Sequence, residues 1–201
     1  MTVSLADLRA ASEPRPAPSD VALHARHRFA DVADGLPLSH EAQALLTLLL
    51  TQDGSTTRLC EALAGAPVGL KVHHQFETLE VPPVVTQELP GRRFLQRCTS
   101  LVHDGEVLTD NISWVSMLAL PPTLRAQLVS AQIPIGHLLQ KLWTRKRPLV
   151  HSPALLAPLW GTVGLADEAA SRAYVITAPE GPCMVVVECF RRGLRTAGRG
   201  R

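Results

Sequence analysis

The first helical periodicity along the chain covers residues 39–51, where Ala and Leu recur behind Ser39. Ser39 can cap this helix, and Glu41 in its first turn suits the positive end of the helix dipole. Asp53-Gly54-Ser55 interrupts the pattern. Ser55 or Thr56 then starts a second helix, which runs to about Leu63 with Leu59, Ala62 and Leu63 facing inward. After Gly69 the pattern changes to strands. Residues 70–79 carry Val72, Phe76 and Leu79, and Pro82-Pro83 closes the stretch. His73 and His74 are adjacent there. In a strand they point to opposite faces, so they cannot share one metal ion.

Asp104-Gly105 favours a two-residue type I′ turn and so predicts a hairpin. With His103 opposite Glu106, Leu101 faces Leu108, Thr99 faces Asp110, Arg97 faces Ile112 and Leu95 faces Trp114. One face then collects Leu95, Leu101, Leu108, Ile112 and Trp114, with Arg97 in their midst. The other carries Gln96, Ser100, Thr109, Asn111 and Ser113 with Cys98, Val102 and Val107. A cation on the apolar face is costly unless something pairs with it. Either Asp110, its diagonal neighbour, forms an ion pair with it, or the guanidinium awaits an anionic ligand.

Residues 120–130 read as a helix with Pro121 and Pro122 in its first turn. An apolar turn at 133–136 leads into a short helix at 137–143. The N–H groups of Ile135 and Gly136 either donate to an anion or simply begin that helix. Arg145, Lys146 and Arg147 read as a solvated basic face. Residues 148–168, with three prolines, read as an irregular covering segment that turns Leu155, Leu156, Leu159 and Trp160 inward. Residues 172–177 and 183–190 form an antiparallel hairpin. Its second strand is apolar on both faces, as a central strand would be, and Glu188 interrupts it. Glu188 either pairs with Arg172 on the neighbouring strand or serves as an acid/base or a contact for a ligand hydroxyl.

Composition narrows the choices. Apolar residues make up 46%, enough for a sizeable core. The net charge of +2 hides an asymmetry: the last eleven residues hold five arginines and no acid, which leaves −3 over residues 1–190. The positive charge therefore describes a tail, not a nucleic-acid-binding face. The helix–turn–helix pair at 39–63 lacks a basic second helix, which argues against DNA. Cys60, Cys98, Cys183 and Cys189 have no metal-ligand spacing and read as free thiols in a reducing compartment. The N-terminus has acids and no apolar core, unlike a signal peptide, and no apolar run approaches the length of a membrane span. We therefore expect a cytoplasmic chain with no nucleic-acid or membrane partner. Residues 1–20 read as an Ala/Pro/Ser-rich arm with a short helix at 5–11. GxSxG, HExxH, Walker A and a GxGxxG opening a helix are all missing, which removes support for serine hydrolases, zincins, P-loop NTPases and Rossmann oxidoreductases.

Four blocks, in order, resemble the chorismate pyruvate-lyases, including the actinobacterial 4-hydroxybenzoate synthases. They are LLLTQDGSTTR at 48–58, the hairpin from Arg97 through Asp104-Gly105-Glu106, IPIGHLL at 133–139 and VVECF at 186–190. The resemblance covers roughly residues 40–192. It implies an α+β fold: a single antiparallel sheet of about six strands, helices packed on one side, and flaps over a buried ligand. The corresponding boundaries are an arm at 1–38, a domain at 39–192 and a basic tail at 193–201. It also implies cofactor-free, metal-free lysis of chorismate to 4-hydroxybenzoate and pyruvate. Carried over, Arg97 binds the ring carboxylate with the N–H of Thr56. Glu188 and the N–H of Ile135 hold the opposite end. Ser55, Gly136 and Arg172 are secondary contacts. The family often has Met in place of Thr56 and Leu in place of Ile135, and it tends to have a small residue where this chain has Asp110. Two alternatives are a related enzyme giving another hydroxy- or aminobenzoate, and a non-catalytic small-acid sensing domain similar to repressor effector domains.

Overall fold

A computed structural model of the chain describes residues 28–30, 38–130, 134–139, 143–150 and 153–197. The helix expected at 5–11, Ile133 and the end of the tail lie outside the described residues. The chain begins with helices α1 (His40–Thr51) and α2 (Thr56–Ala64). Both start as their sequences dictate: Ser39 Oγ accepts from the N–H of Ala42, and Ser55 Oγ accepts from that of Arg58. Gly65 ends α2 at φ 65°, a conformation that favours glycine. On α2 the buried positions are Thr56, Thr57, Cys60 and Ala64, while Ala62 faces solvent.

The remaining elements are β1 (Gly69–Thr78), α3 (Pro83–Glu88), β2 (Phe94–His103), β3 (Glu106–Ser116), α4 (Pro122–Val129), α5 (Ile135–Leu139), β4 (Arg145–Leu149), α6 (Pro153–Val163), β5 (Ser171–Ala178), β6 (Gly181–Phe190) and α7 (Gly193–Thr196). The six strands form one sheet in the order β1-β2-β3-β6-β5-β4, and every pairing is antiparallel. The α+β class and the single six-stranded sheet match the expectation.

The helices, however, cover both faces of the sheet. On one face α3 and α6 pack Val85, Leu155, Leu156 and Leu159 against Cys98, Ile112, Trp114, Val185 and Val187. The segment expected to be irregular is thus largely helix α6. Its leucines are fully buried, each contributing roughly 1.5–3 kcal/mol of hydrophobic stabilisation. The opposite face is covered in two parts. Leu120, Leu128 and Leu138 pack on Leu95, Val115, Tyr174 and Ile176, while Leu46, Leu49 and Cys60 pack with Leu101 and Phe190. A cavity opens between these two clusters.

The hairpin turn forms as predicted, with Asp104 at φ 49° and Gly105 at φ 79°. His103 faces Glu106 and Val102 faces Val107, but the register then slips by one residue. A bulge at Leu108 makes Leu101 face Thr109 and Arg97 face Ser113. The bulge also presents the carbonyl of Leu108 to the N–H of Arg191 at 2.9 Å. One extra residue transfers the rest of the strand to the other face. Arg97 therefore shares its face with Asn111 and Ser113, not with Ile112 and Trp114.

Asp110 consequently lies on the opposite face from Arg97 and cannot be its partner. It accepts a 2.5 Å hydrogen bond from Arg191 Nε and another at 2.5 Å from Ser100 Oγ. Arg191, counted by sequence among the tail arginines, is fully buried. The basic terminus thus begins inside the folded body. Gly193 and Leu194 are buried, and Arg195 Nη1 donates to the carbonyl of Phe29. Phe29, within the stretch read as an arm, is itself fully buried.

A second bulge, at His73 on β1, sends both histidines to one face. His73 Nε2 contacts Ser100 Oγ at 2.7 Å and His74 Nε2 contacts Gln96 Nε2 at 3.3 Å. The expectation of opposite faces fails because the strand is not regular there. Among the described residues no group of three or more His, Cys, Asp or Glu could hold a metal ion.

Candidate functional site

The cavity has a volume of about 400 Å³, within the range of small-molecule sites. Its floor is the sheet: Thr99 from β2, Asn111 and Ser113 from β3, Val186 and Glu188 from β6, Tyr174 and Ile176 from β5, and Lys146 from β4. Its walls are the α1–α2 turn with the first residues of α2 (Asp53 to Thr57) and, packed beside them, Pro134, Ile135, Gly136 and Leu139. Close approach of α5 to α2 requires glycine at 136, where a Cβ would meet Thr57 Oγ1 at 2.5 Å and Ser55 Oγ at 3.0 Å.

Glu188 is the centre of the polar floor, buried at 5% exposure. Arg172, opposite it on β5, donates from Nε to Glu188 Oε2 at 2.8 Å. Thr56 Oγ1 donates to the same oxygen at 2.9 Å, and Tyr174 donates from its hydroxyl to Oε1 at 2.8 Å. Burial raises the Glu188 pKa. Arg172 and Lys146, with the bonds from Thr56 and Tyr174, outweigh it and hold the carboxyl below the ordinary carboxylate value. Glu188 is therefore an ionised acceptor, not a proton donor. Of the two readings of its chemistry, pairing with Arg172 is realised, and the hydrogen-bonding role remains open to it.

Arg172 reaches further. Its Nη2 donates to Thr56 Oγ1 at 2.9 Å and its Nη1 to the carbonyl of Gln52 at 2.5 Å. It thereby ties the α1–α2 turn to the floor. Lys146 does the same from the sheet edge, donating from Nζ to the carbonyl of Gly54 at 2.6 Å. The ammonium also sits 4.4 Å from the centroid of the Tyr174 ring. A second cavity of about 450 Å³ shares Asp53, Lys146 and Tyr174 with the first and adds Arg172 to its lining.

The structure therefore brings Ser55, Thr56, Ile135, Gly136 and Glu188 onto one cavity, with Arg172 bonded to Glu188 behind it. Arg97 lies on the same sheet face, beside Ser113, but is not on the cavity wall. It is 1% exposed, and burial lowers its pKa to about 10. Sequence reasoning missed Lys146, Tyr174, Asn111 and Ser113. Tyr174 is the only tyrosine of the chain and alternates with Arg172, a signal that was available. Asn111 and Ser113 lie on the face opposite to that expected, because the Leu108 bulge leaves no mark in the pattern. The four thiols are free and buried, and burial pushes those of Cys60 and Cys98 up to about 12, which makes them inert.

No protein-family model matches this chain, and no curated protein matches it. Solved structures similar to it include transcriptional regulators, several of them described as of the GntR family. PhnF from Mycobacterium smegmatis is 14% identical over 81% of this chain and 85% of its own, with a TM-score of 0.42. A GntR-family regulator from Bacillus cereus is 9% identical over 67% of this chain and 94% of its own, at 0.40. YydK from Bacillus subtilis is 12% identical over 61% of this chain, at 0.39, and the match spans 58% of its length. Among the described residues no helix is long and apolar enough to cross a membrane.

Proposed function

We propose that this chain binds a small hydroxylated carboxylic acid in the cavity and, with chorismate as that acid, releases 4-hydroxybenzoate and pyruvate. One observation carries the reading. Thr56, Ile135 and Glu188, three of the four positions that the lyase resemblance marks, come from distant parts of the chain and line one cavity.

In this reading Glu188, ionised and locked in position, accepts from the ring hydroxyl of the ligand. Arg172 and Tyr174 keep its carboxylate oriented. The ring lies over the apolar surface of Val186, Ile176 and Leu139. The ring C–H bond breaks, its electrons complete the aromatic ring, and its proton balances the one that the departing enolpyruvyl group gains. The ether C–O bond breaks, and its electrons leave with enolpyruvate, which takes up a proton to become pyruvate. Aromatisation drives the step, so the protein contributes mainly orientation and electrostatic support.

Incubation of the chain with chorismate, read by pyruvate release and product mass, tests the reading. Arg97→Ala, with its fold checked by circular dichroism, is expected to lose the release if Arg97 takes the ring carboxylate. Equal release by this variant removes Arg97 from the site. A different benzoate in the product indicates the related-enzyme alternative.

A second reading is binding without turnover, as in a sensing domain. Three donors from within the protein already engage Glu188 and hold it in an internal network, which favours this reading. Chorismate or 4-hydroxybenzoate that raises the melting temperature without pyruvate release selects this reading.

A further inference from the structure

Three charged side chains line the cavity: Asp53, Lys146 and Glu188. Arg172 pairs with Glu188 inside the protein, which leaves Lys146 as the cation that the cavity presents among the described residues. The sequence placed Lys146 in a solvated basic run. The structure separates it from that run. Edge strand β4 alternates, so Arg145 and Arg147 are exposed, while Lys146 pairs with Ile176 and shares its face.

The ammonium is held in place. Gly54 accepts one of its three N–H bonds at 2.6 Å, and the Tyr174 ring lies beneath it. The same tyrosine donates its hydroxyl to Glu188, so the cation and the carboxylate are braced by one side chain. Burial lowers the Lys146 pKa, the charges of Glu188 and Asp53 offset this only in part, and an anion docked beside the ammonium would add to their effect.

The order across the sheet supplies the second half of the argument. Arg97 is on β2, Glu188 on β6 and Lys146 on β4, so Glu188 stands two strands from each cation on the same face. At about 4.8 Å per strand each cation is roughly 10 Å from β6 across the sheet, and along the strands Arg97 stands level with Val186 and Lys146 level with Met184, so Lys146 lies the further of the two from Glu188. The face thus reads cation, acceptor, cation, with Lys146 on the cavity wall and Arg97 buried off it. A matching ligand reads carboxylate, hydroxyl or ether oxygen, carboxylate.

We propose that Lys146 is a second anion subsite of this cavity, so that the ligand is a dicarboxylate whose acids lie on either side of an oxygen substituent near Glu188. This rests on the small-acid reading above and deepens it. In chorismate the second acid is the enolpyruvyl carboxylate, which departs with the leaving group. A monocarboxylate such as 4-hydroxybenzoate has nothing to offer Lys146.

The test compares the two acids on wild-type protein and on Lys146→Met and Lys146→Arg. Chorismate is followed by Kd, or by KM if it is turned over, and 4-hydroxybenzoate by Kd. Loss of one charge-assisted bond predicts chorismate roughly tenfold to a hundredfold weaker in Lys146→Met. Affinity for 4-hydroxybenzoate is expected to stay unchanged, and Lys146→Arg to restore much of the chorismate affinity. Lys146→Gln replaces the Met variant if that one melts early. Equal weakening of both acids, or no weakening of chorismate, overturns the subsite. Wild-type protein that binds neither acid overturns the small-acid reading itself.

Discussion

Asp110 and Arg191 form a buried ion pair on the sheet face away from the cavity, at 6% and 0% exposure. Asp110→Asn leaves a buried guanidinium without its counter-charge. Breaking such a pair costs about 3–5 kcal/mol, far more than an exposed pair. Urea unfolding at pH 7 is expected to show that loss, and replacing Arg191 by Met in the same chain to recover part of it. A shift no larger than that of a surface substitution would contradict the pairing. The pair also answers what the sequence left open. An acid near Arg97 in the strand proves to belong to another cation, because one bulge turned it over.

Among the elements, the short C-terminal helix α7 has the tightest fit. A Cβ on Gly193 would lie 2.4 Å from the backbone carbonyl oxygen of Val107, beside the hairpin bulge. A carbonyl in a sheet cannot swing aside as a side chain can. Gly193→Ala is therefore expected to cost roughly 1–3 kcal/mol, as overpacking does, and to lower the melting temperature measurably. An unchanged melt would mean that α7 is not docked on the hairpin. The consequence for domain limits is physical: the folded body extends past residue 192 to the described end of α7.

For the whole molecule, the Glu188 network joins α1, α2, β4, β5 and β6 and so makes stability depend on pH. Glu188 titrates below its ordinary 4.5 in the folded chain. Its contribution is complete above about pH 4.5 and is lost as the pH falls through its lowered native value. Glu188→Gln removes this dependence and leaves Arg172 and Lys146 without their counter-charge. Melting curves between pH 7 and pH 3 are expected to show the variant less stable at pH 7 but with a shallower fall on acidification. Parallel curves would exclude Glu188 as the source.

The caps, breaks and turn of this chain are legible in its sequence, because they depend on neighbours within a few residues. Ser39, Ser55, Asp104-Gly105 and the antiparallel hairpin of β5 and β6 are all local. The sequence also marked Glu188 and its partner Arg172, since a charge in an apolar strand must be neutralised by an adjacent one. Which face each hairpin residue takes emerges with the folded sheet, because a bulge costs one residue and has no compositional signature. The fold alone converted Lys146 from a surface charge to part of a cavity wall, and Arg191 from a tail charge to a buried one. Burial of a cation depends on what packs over it, and those elements come from distant parts of the chain.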